Sequence, residues 1–355
     1  MQTAHDKYLP FLETLHAYTQ LPERRCLPPW HCLGRADEIA QTGDFFTTEL
    51  LGEPLLVVRD EAETIRVLAN VCRHRNMPVA EGSGRSKRFI CPYHAWSYKL
   101  DGALIAAPLM ENSQHACGLP SHHCEVWQGF IYTNLSPVAE PLAEQLKELD
   151  AQLANYHCEQ LRHVFVTEEV WPANWKCLVE NFMEGYHLSR VHPKTLGDRT
   201  PTRLCQKLPS GRAFTGYRAH YPTNAPARGK HHPDLNEEQL SGSSLYCVFP
   251  TQVFSIASDV LVYLALQPAG PDHVRLRWGM SVYDHDMPQA EIDARITLWR
   301  QINEEDKAKL GKVQAALHSQ HAVAGPLAPE HYEGTIFDFI QYYCHSLAPQ
   351  TELSE

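Results

Sequence analysis

No stretch of the chain stays apolar for the roughly 20 residues that a bilayer-spanning helix needs. Residues 1–15, which include Asp6 and Glu13, carry no signal-type apolar segment. Positive charge is scarce: 31 Lys plus Arg against 42 Asp plus Glu leave a formal charge of −11, with no basic stripe to override the average. Such a chain has no global attraction for nucleic acid or an anionic membrane. No Gly-x-Gly-x-x-Gly follows a strand-like run, so no nicotinamide or flavin domain is indicated. Internal repeats and low-complexity segments are also missing. The expectation is a cytoplasmic protein with neither nucleic-acid nor membrane partners.

Two residue types are abundant instead: 11 cysteines and 21 histidines. An odd cysteine count without a secretory segment favours reduced thiols, some of them metal ligands, over a disulfide framework. The 355 residues leave room for about two domains. Residues 1–31 read as an amphipathic helix (Leu9, Leu12, Leu15 and Tyr18 on one face) and a linker. Residues 32–136 are strand-like and turn-rich, with β-rich runs at Glu53–Asp60 and Thr64–Val71. Pro137 and Pro141 mark a break, and residues 137–355 form the second domain. Its strand signals fall at His163–Val170, Phe214–Tyr221, Ser244–Ile256, Val260–Gln267 and Val274–Tyr283. Residues 222–242 read as a surface loop or lid, and helices are expected at about 288–319 and 334–346. The fold class is α+β: a small all-β domain followed by a larger one with an antiparallel sheet.

Cys72-Arg-His74 and Cys91-Pro-Tyr-His94 stand 16 residues apart, each at the end of a β-like run, with Gly82-Ser-Gly-Arg85 expected to turn the chain between them. Four N/S ligands from two loops suit a zinc site or an iron–sulfur cluster. The alternation of one thiolate and one imidazole in each pair suits a 2Fe–2S centre with both thiolates on one iron and both imidazoles on the other. Here the sequence resembles the Rieske family, in its oxygenase branch. The resemblance covers Asn70-Val-Cys-Arg-His-Arg-Asn76, Cys91-Pro-Tyr-His-Ala-Trp-Ser-Tyr98 and Asp101-Gly102. The cysteine pair beside the cluster of respiratory-chain Rieske proteins is missing: Met77 follows Asn76, and Tyr93 stands where a second cysteine would be.

In the second domain, His187 and His192 are five residues apart, with Pro193 ending any helix and Glu184 three residues before His187. A bend before the proline brings two such histidines to adjacent positions around one metal, and Glu184 is placed to orient a bound imidazole. A two-histidine iron(II) site needs one more carboxylate. On the late helix, Ile292, Ile296, Trp299, Ile302, Leu310, Val313 and Leu317 form an apolar stripe. Asp306 falls within it, while Glu304 and Glu305 project off that face. A carboxylate there is costly unless paired or metal-bound, which selects Asp306 over its neighbours.

Asn174-Trp-Lys, Glu180-Asn181, Glu184-Gly-Tyr-His187, His192-Pro193 and Glu305-Asp306 are similar to the catalytic domain of Rieske non-haem iron oxygenases. The resemblance implies a helix-grip (START-like) catalytic domain. It implies a 2Fe–2S cluster on Cys72, His74, Cys91 and His94, a mononuclear Fe(II) on His187, His192 and Asp306, and Asn181 near the iron. It further implies a homotrimer in which Glu184 bridges His94 of one subunit to His187 of the next. Electrons come from NAD(P)H only indirectly, through a separate reductase with or without a ferredoxin. Glu184 stands where aromatic-ring dioxygenases carry aspartate, which resembles the choline and betaine monooxygenases. The implied function is a terminal oxygenase that uses O2 to hydroxylate or oxidatively demethylate a small organic substrate, a quaternary ammonium compound among the candidates. The alternatives are an aromatic-ring-hydroxylating dioxygenase, a Rieske-type electron carrier with a non-catalytic binding domain, and a zinc-stabilised binding module. Tyr246, Phe249, Phe254, Tyr263 and Trp278 are the expected pocket wall.

Overall fold

The structure is a computed structural model that describes residues 30–110, 118–223 and 229–347. The helix expected over residues 1–26 lies outside them. The described residues divide into two compact units, 30–142 and 143–347. The first unit runs past the expected break at residue 136. Trp30 Nε1 donates to the Glu140 carbonyl at 2.8 Å, and the Leu142 amide donates to the Glu125 carboxylate, tying this stretch to the first sheet.

The first unit is all β. Its larger sheet joins β1 (Trp30–Arg35), β2 (Asp44–Leu50), β3 (Glu53–Arg59), β4 (Ile65–Ala69), β5 (Ser83–Arg85), β9 (Ser121–Trp127) and β10 (Phe130–Asn134), in the order β1-β10-β9-β4-β3-β2-β5. A small sheet of β6 (Phe89–Ile90), β7 (Ser97–Tyr98) and β8 (Leu104–Ala106) carries the second Cys/His pair. The uninterrupted apolar run Leu55–Val58 is explained by burial on both faces. Leu56 and Val58 pack with Cys72, Cys91 and Trp96, while Leu55 and Val57 pack with Leu33, Val67 and Ile131. The β3–β4 hairpin closes on Asp60, which accepts the amides of Ala62 and Thr64 at 2.9 Å and Arg66 Nε at 2.7 Å. The segment Gly82–Arg85 is not only a turn: Ser83–Arg85 adds to the sheet edge beside β2.

The second unit is a seven-stranded antiparallel sheet of β11 (Arg162–Trp171), β12 (Cys205–Lys207), β13 (Phe214–His220), β14 (Gly242–Val248), β15 (Gln252–Ile256), β16 (Val260–Pro268) and β17 (Val274–Val282). Its order is β11-β17-β16-β15-β14-β13-β12. The run expected as one strand over Ser244–Ile256 is therefore a hairpin. Within the expected lid, Glu237–Leu240 forms a helical turn capped by Asn236, and β14 begins at Gly242. Three helices matter for the site: α1 (Trp175–Phe182), α2 (Gln289–Leu317) and α3 (Glu330–Leu347).

Cross-strand register aligns Tyr246 with Phe254 and Phe254 with Tyr263, bounded by Gly216 opposite Tyr246 and Gly279 opposite Tyr263. A Cβ on either glycine would come within 2.6 Å of the adjoining tyrosine ring, so the aromatic row requires both. Tyr217, Leu245 and Ser255 occupy the other face of the same strands.

The buried stripe of α2 runs through Ile292, Ile296, Ile302, Asn303, Leu310 and Gln314, with Trp299 packed against it. Val313 and Leu317, expected in that stripe, are instead 47% and 51% exposed. The polar Gln314 takes the buried position because it has partners. Its Oε1 accepts the Asn174 amide at 2.7 Å and its Nε2 donates to Asp272 at 2.7 Å.

Candidate metal centres

The two Cys/His loops of the first unit have matching backbones. The Cys72 carbonyl accepts the Asn76 amide and the Cys72 amide donates to the Met77 carbonyl; the Cys91 carbonyl accepts from Ala95 and its amide donates to Trp96. Asn76 and Ala95 both have φ near +60° (60° and 61°), so each loop reverses at the same step. This repetition brings the two loops together, with Cys72 and Cys91 in one buried cluster and His74 beside His94. Cys72 and Cys91 are buried, His74 is half-buried and His94 is exposed.

The two Nδ1 atoms of His74 and His94 approach to 3.1 Å, and the His74 ring stacks on Trp96 at 5.1 Å between centroids. Burial pushes the Cys72 thiol up. The Tyr98 hydroxyl at 3.2 Å and the backbone amides of His74 and Arg75 outweigh it, so its pKa is lowered toward thiolate. Burial, with His94 and Arg75 nearby, lowers the His74 pKa and favours the neutral ring. Neutral imidazoles and thiolates are the forms that ligate iron.

In the second unit, α1 starts at Asn174, whose side chain accepts the Lys176 amide at 3.0 Å, and ends at Met183. The chain then passes through Glu184 and Gly185 to a short turn, Leu188–Val191. Gly185 lies against the Cys205 side chain, where a Cβ would come within 2.3 Å of Sγ. A side chain at this position would therefore displace Cys205.

Three side chains from distant segments converge. His187 Nε2 and His192 Nε2 are 3.3 Å apart, and Asp306 Oδ1 lies 3.6 Å from the first and 3.1 Å from the second. Ligand atoms at right angles around a metal about 2.1 Å away lie about 3 Å from one another, so these separations suit one ion held on one face. The other ring nitrogens are engaged by carboxylates: Glu184 Oε1 is 2.5 Å from His187 Nδ1, and Glu305 Oε2 is 2.8 Å from His192 Nδ1. Each carboxylate selects the Nδ1–H tautomer. Both Nε2 lone pairs and Asp306 then face a common point, an arrangement that repels itself unless a cation lies there. Burial lowers the His192 pKa, but Asp306 and then Glu305 outweigh it and raise it, which is the electrostatics of a site built for positive charge. The residues therefore fit an iron(II) ion.

Asn181 reaches the same place, with its Nδ2 donating to Asp306 Oδ1 at 3.4 Å while its buried Oδ1 has no partner among the described residues. Glu305 was expected to project away. Instead it accepts from His192, from Thr195 Oγ1 at 2.7 Å and from Gln301. Periodicity places Glu305 one position off the buried stripe. No sequence signal shows that the chain after Pro193 crosses α2 there.

Residues 150–345 match the family model of the ring hydroxylating alpha subunit (catalytic domain), and residues 29–123 match the Rieske [2Fe-2S] domain. The chain belongs to the ring-hydroxylating alpha-subunit family. Members carry a Rieske cluster and a mononuclear iron, in agreement with the two clusters of donors just described. The carnitine monooxygenase oxygenase subunit of Acinetobacter pittii (strain PHEA-2) is 35% identical over 177 residues, covering 46% of each chain. The chain thus spans about half the length of the curated relatives it matches. Among solved structures, the quaternary ammonium Rieske monooxygenase CntA in complex with an inhibitor superposes with a TM-score of 0.80 at 20% identity, covering 94% of this chain and 93% of that one. Naphthalene 1,2-dioxygenase from Rhodococcus sp. superposes with a TM-score of 0.79 at 20% identity, covering 94% and 92%. The alpha-subunit fold is shared by both and does not choose between their substrates. Among the described residues no helix is long and apolar enough to cross a membrane.

A cavity of about 380 Å3 in this alpha-subunit domain lies beside the triad. Its wall includes Leu188, adjacent to His187, Thr195, which holds Glu305, and Ile302, one helical turn before Asp306. The expected aromatic wall is not the wall observed. Tyr246, Phe254 and Tyr263 form their row on the far face of the sheet, and Phe249 stacks on Tyr342 of α3. Tyr217, Leu245, Ser255 and Ala257, with Trp299 from α2, line the cavity instead. A shift of one residue along a strand exchanges its faces, and aromatic content does not reveal which face meets the helix.

Proposed function

We propose that this chain is the terminal oxygenase component of a multicomponent system, which uses O2 to hydroxylate or oxidatively demethylate a small quaternary ammonium compound. The convergence of His187, His192 and Asp306, with both outer ring nitrogens held by carboxylates, carries this reading. When bound, the cluster supplies single electrons and the mononuclear iron(II) supplies the capacity to activate dioxygen. The protein's own contribution is to hold and orient. Cys72, His74, Cys91 and His94 hold the cluster, with Tyr98 bonded to the Cys72 sulfur. Glu184 and Glu305 keep the Nδ1 protons of His187 and His192, and Asn181 supports Asp306. A cavity of about 380 Å3 suits a small ligand. The Acinetobacter relative is a carnitine monooxygenase oxygenase subunit, which supports a quaternary ammonium substrate.

The reading includes a trimer fed by a separate reductase, in which Glu184 links His94 of a neighbouring subunit to His187. The i,i+3 contact of Glu184 with His187 supports that link. Anaerobic protein reconstituted with iron(II) is expected to hold about three irons and two acid-labile sulfides per chain, the sum of a 2Fe–2S cluster and one mononuclear site. About two of each would leave an electron carrier, and zinc without sulfide would overturn both centres. Glu184→Gln should retain the cluster and its rapid reduction while losing coupled oxygen uptake; unchanged turnover with carnitine or glycine betaine would remove the bridge.

A further inference from the structure

The cavity wall carries three charged side chains: Arg199, Asp259 and Arg295. Two of them neutralise each other, since Arg295 Nη2 donates to Asp259 Oδ2 at 2.8 Å and to Glu291 at 2.8 Å. Among the described residues Arg199 has no such partner. Its Nε and Nη2 are shielded from solvent and make no hydrogen bond among the described residues. Those two nitrogens share one edge of the guanidinium, the edge whose parallel N–H bonds match the two oxygens of a carboxylate.

The side chain is also held ready. Its backbone amide donates to Leu196 at 2.9 Å, and its guanidinium lies over the Tyr221 ring, 4.7 Å from the centroid. Stacking restrains the plane of the group without using its donors. A half-buried cation whose two solvent-shielded donors stand idle on a cavity wall is costly in isolation and is explained by an anionic ligand group that completes it.

We propose that Arg199 is a specificity-determining residue that binds a carboxylate of the substrate side-on through Nε and Nη2. The substrate class is thereby narrowed to trimethylammonium compounds that carry a carboxylate, as opposed to choline-like alcohols. The carboxylate half stands on Arg199 alone, whereas the ammonium half rests on the proposed function above.

The test is calorimetric titration of the anaerobic holoenzyme with three probes: γ-butyrobetaine, its methyl ester, and 5,5-dimethylhexanoate, the uncharged-head analogue of γ-butyrobetaine. γ-Butyrobetaine should bind at least about 10-fold tighter than its ester, the contribution of hydrogen bonds to a charged group. Arg199→Met should abolish that ratio by weakening the acid alone, and Arg199→Lys, which keeps the charge but not the fork, should restore part of it. Iron content and melting temperature of the variants report that they are folded; should Arg199→Met not fold, the wild-type ratio and Arg199→Lys decide. A ratio near one in the wild type, a ratio that survives Arg199→Met, or failure of both acids to bind would overturn the proposal. If 5,5-dimethylhexanoate binds as tightly as γ-butyrobetaine and depends on Arg199, the ammonium reading fails while the carboxylate assignment stands.

Discussion

Replacing Glu305 with glutamine tests whether this carboxylate sets the His192 ring for a metal. In the structure Glu305 Oε2 accepts from His192 Nδ1 at 2.8 Å and from Thr195 Oγ1 at 2.7 Å, beside an imidazole whose side chain is only 1% exposed. Glutamine has nearly the same shape and leaves one oxygen to accept, so the change removes charge more than contact. The loss is the difference between a charge-assisted and a neutral hydrogen bond, about 1–2 kcal/mol. That corresponds to roughly a 5- to 30-fold weaker hold on iron(II), within the usual range for partners of a ligating histidine. Anaerobic competition with a chromogenic iron(II) chelator measures it, with the cluster absorbance of the first unit as an internal control. Glu304→Gln is the matched comparison, because Glu304 has a 66%-exposed side chain and, among the described residues, pairs only with Lys307. Equal iron retention in Glu305→Gln and wild type would refute the reasoning, as would an equal loss in Glu304→Gln.

Other perturbations are equally specific. Tyr98→Phe removes a hydroxyl 3.2 Å from the Cys72 sulfur, which favours the more negatively charged reduced cluster; its potential should fall by roughly 40 mV for a bond worth about 1 kcal/mol, read by spectroelectrochemistry. Burial opposes ionisation of Asp60, but Arg66 and the amides of Thr64 and Ala62 outweigh it and lower its pKa. A lowered carboxylate contributes stability above its unfolded pKa and loses it as pH falls through the folded value, so Asp60→Asn should flatten the loss of stability below about pH 4 in denaturant titrations. Gly279→Ala places a Cβ within 2.6 Å of the Tyr263 ring and 2.9 Å of the Phe165 carbonyl, and a thermal melt should show about 1–3 kcal/mol of destabilisation.

Short spacings made the candidate donors, and the carboxylate that holds one of them, legible in the sequence. Cys72-x-His74, Cys91-x-x-His94 and Glu184-x-x-His187 are local, and their geometry follows from a turn of loop or helix. Strand and helix positions in the second unit were legible for a similar reason, because burial imposes a period of two or about 3.6 on a continuous segment. Asp306 also emerged from periodicity, since a carboxylate within an apolar stripe demands a partner.

Contacts between distant segments were not legible. Periodicity assigned Glu305 to the solvent, yet the chain following Pro193 lies over that side of α2 and gives it His192 and Thr195 as partners. It also extended the apolar stripe through Val313 and Leu317, where the structure buries Gln314 because Asn174 and Asp272 satisfy its amide. The cavity was decided at the same level. Tyr246, Phe254 and Tyr263 alternate with Leu245, Ser255 and Val262, and either set has the composition of a pocket wall. Only the packing of α2 against one face determines which set faces the cavity, leaving Arg199 on the wall and the aromatic row behind the sheet. Local sequence dictates conformation and donor chemistry over a few residues; which groups satisfy one another across 110 residues or more, as His192 and Glu305 do, depends on the tertiary fold.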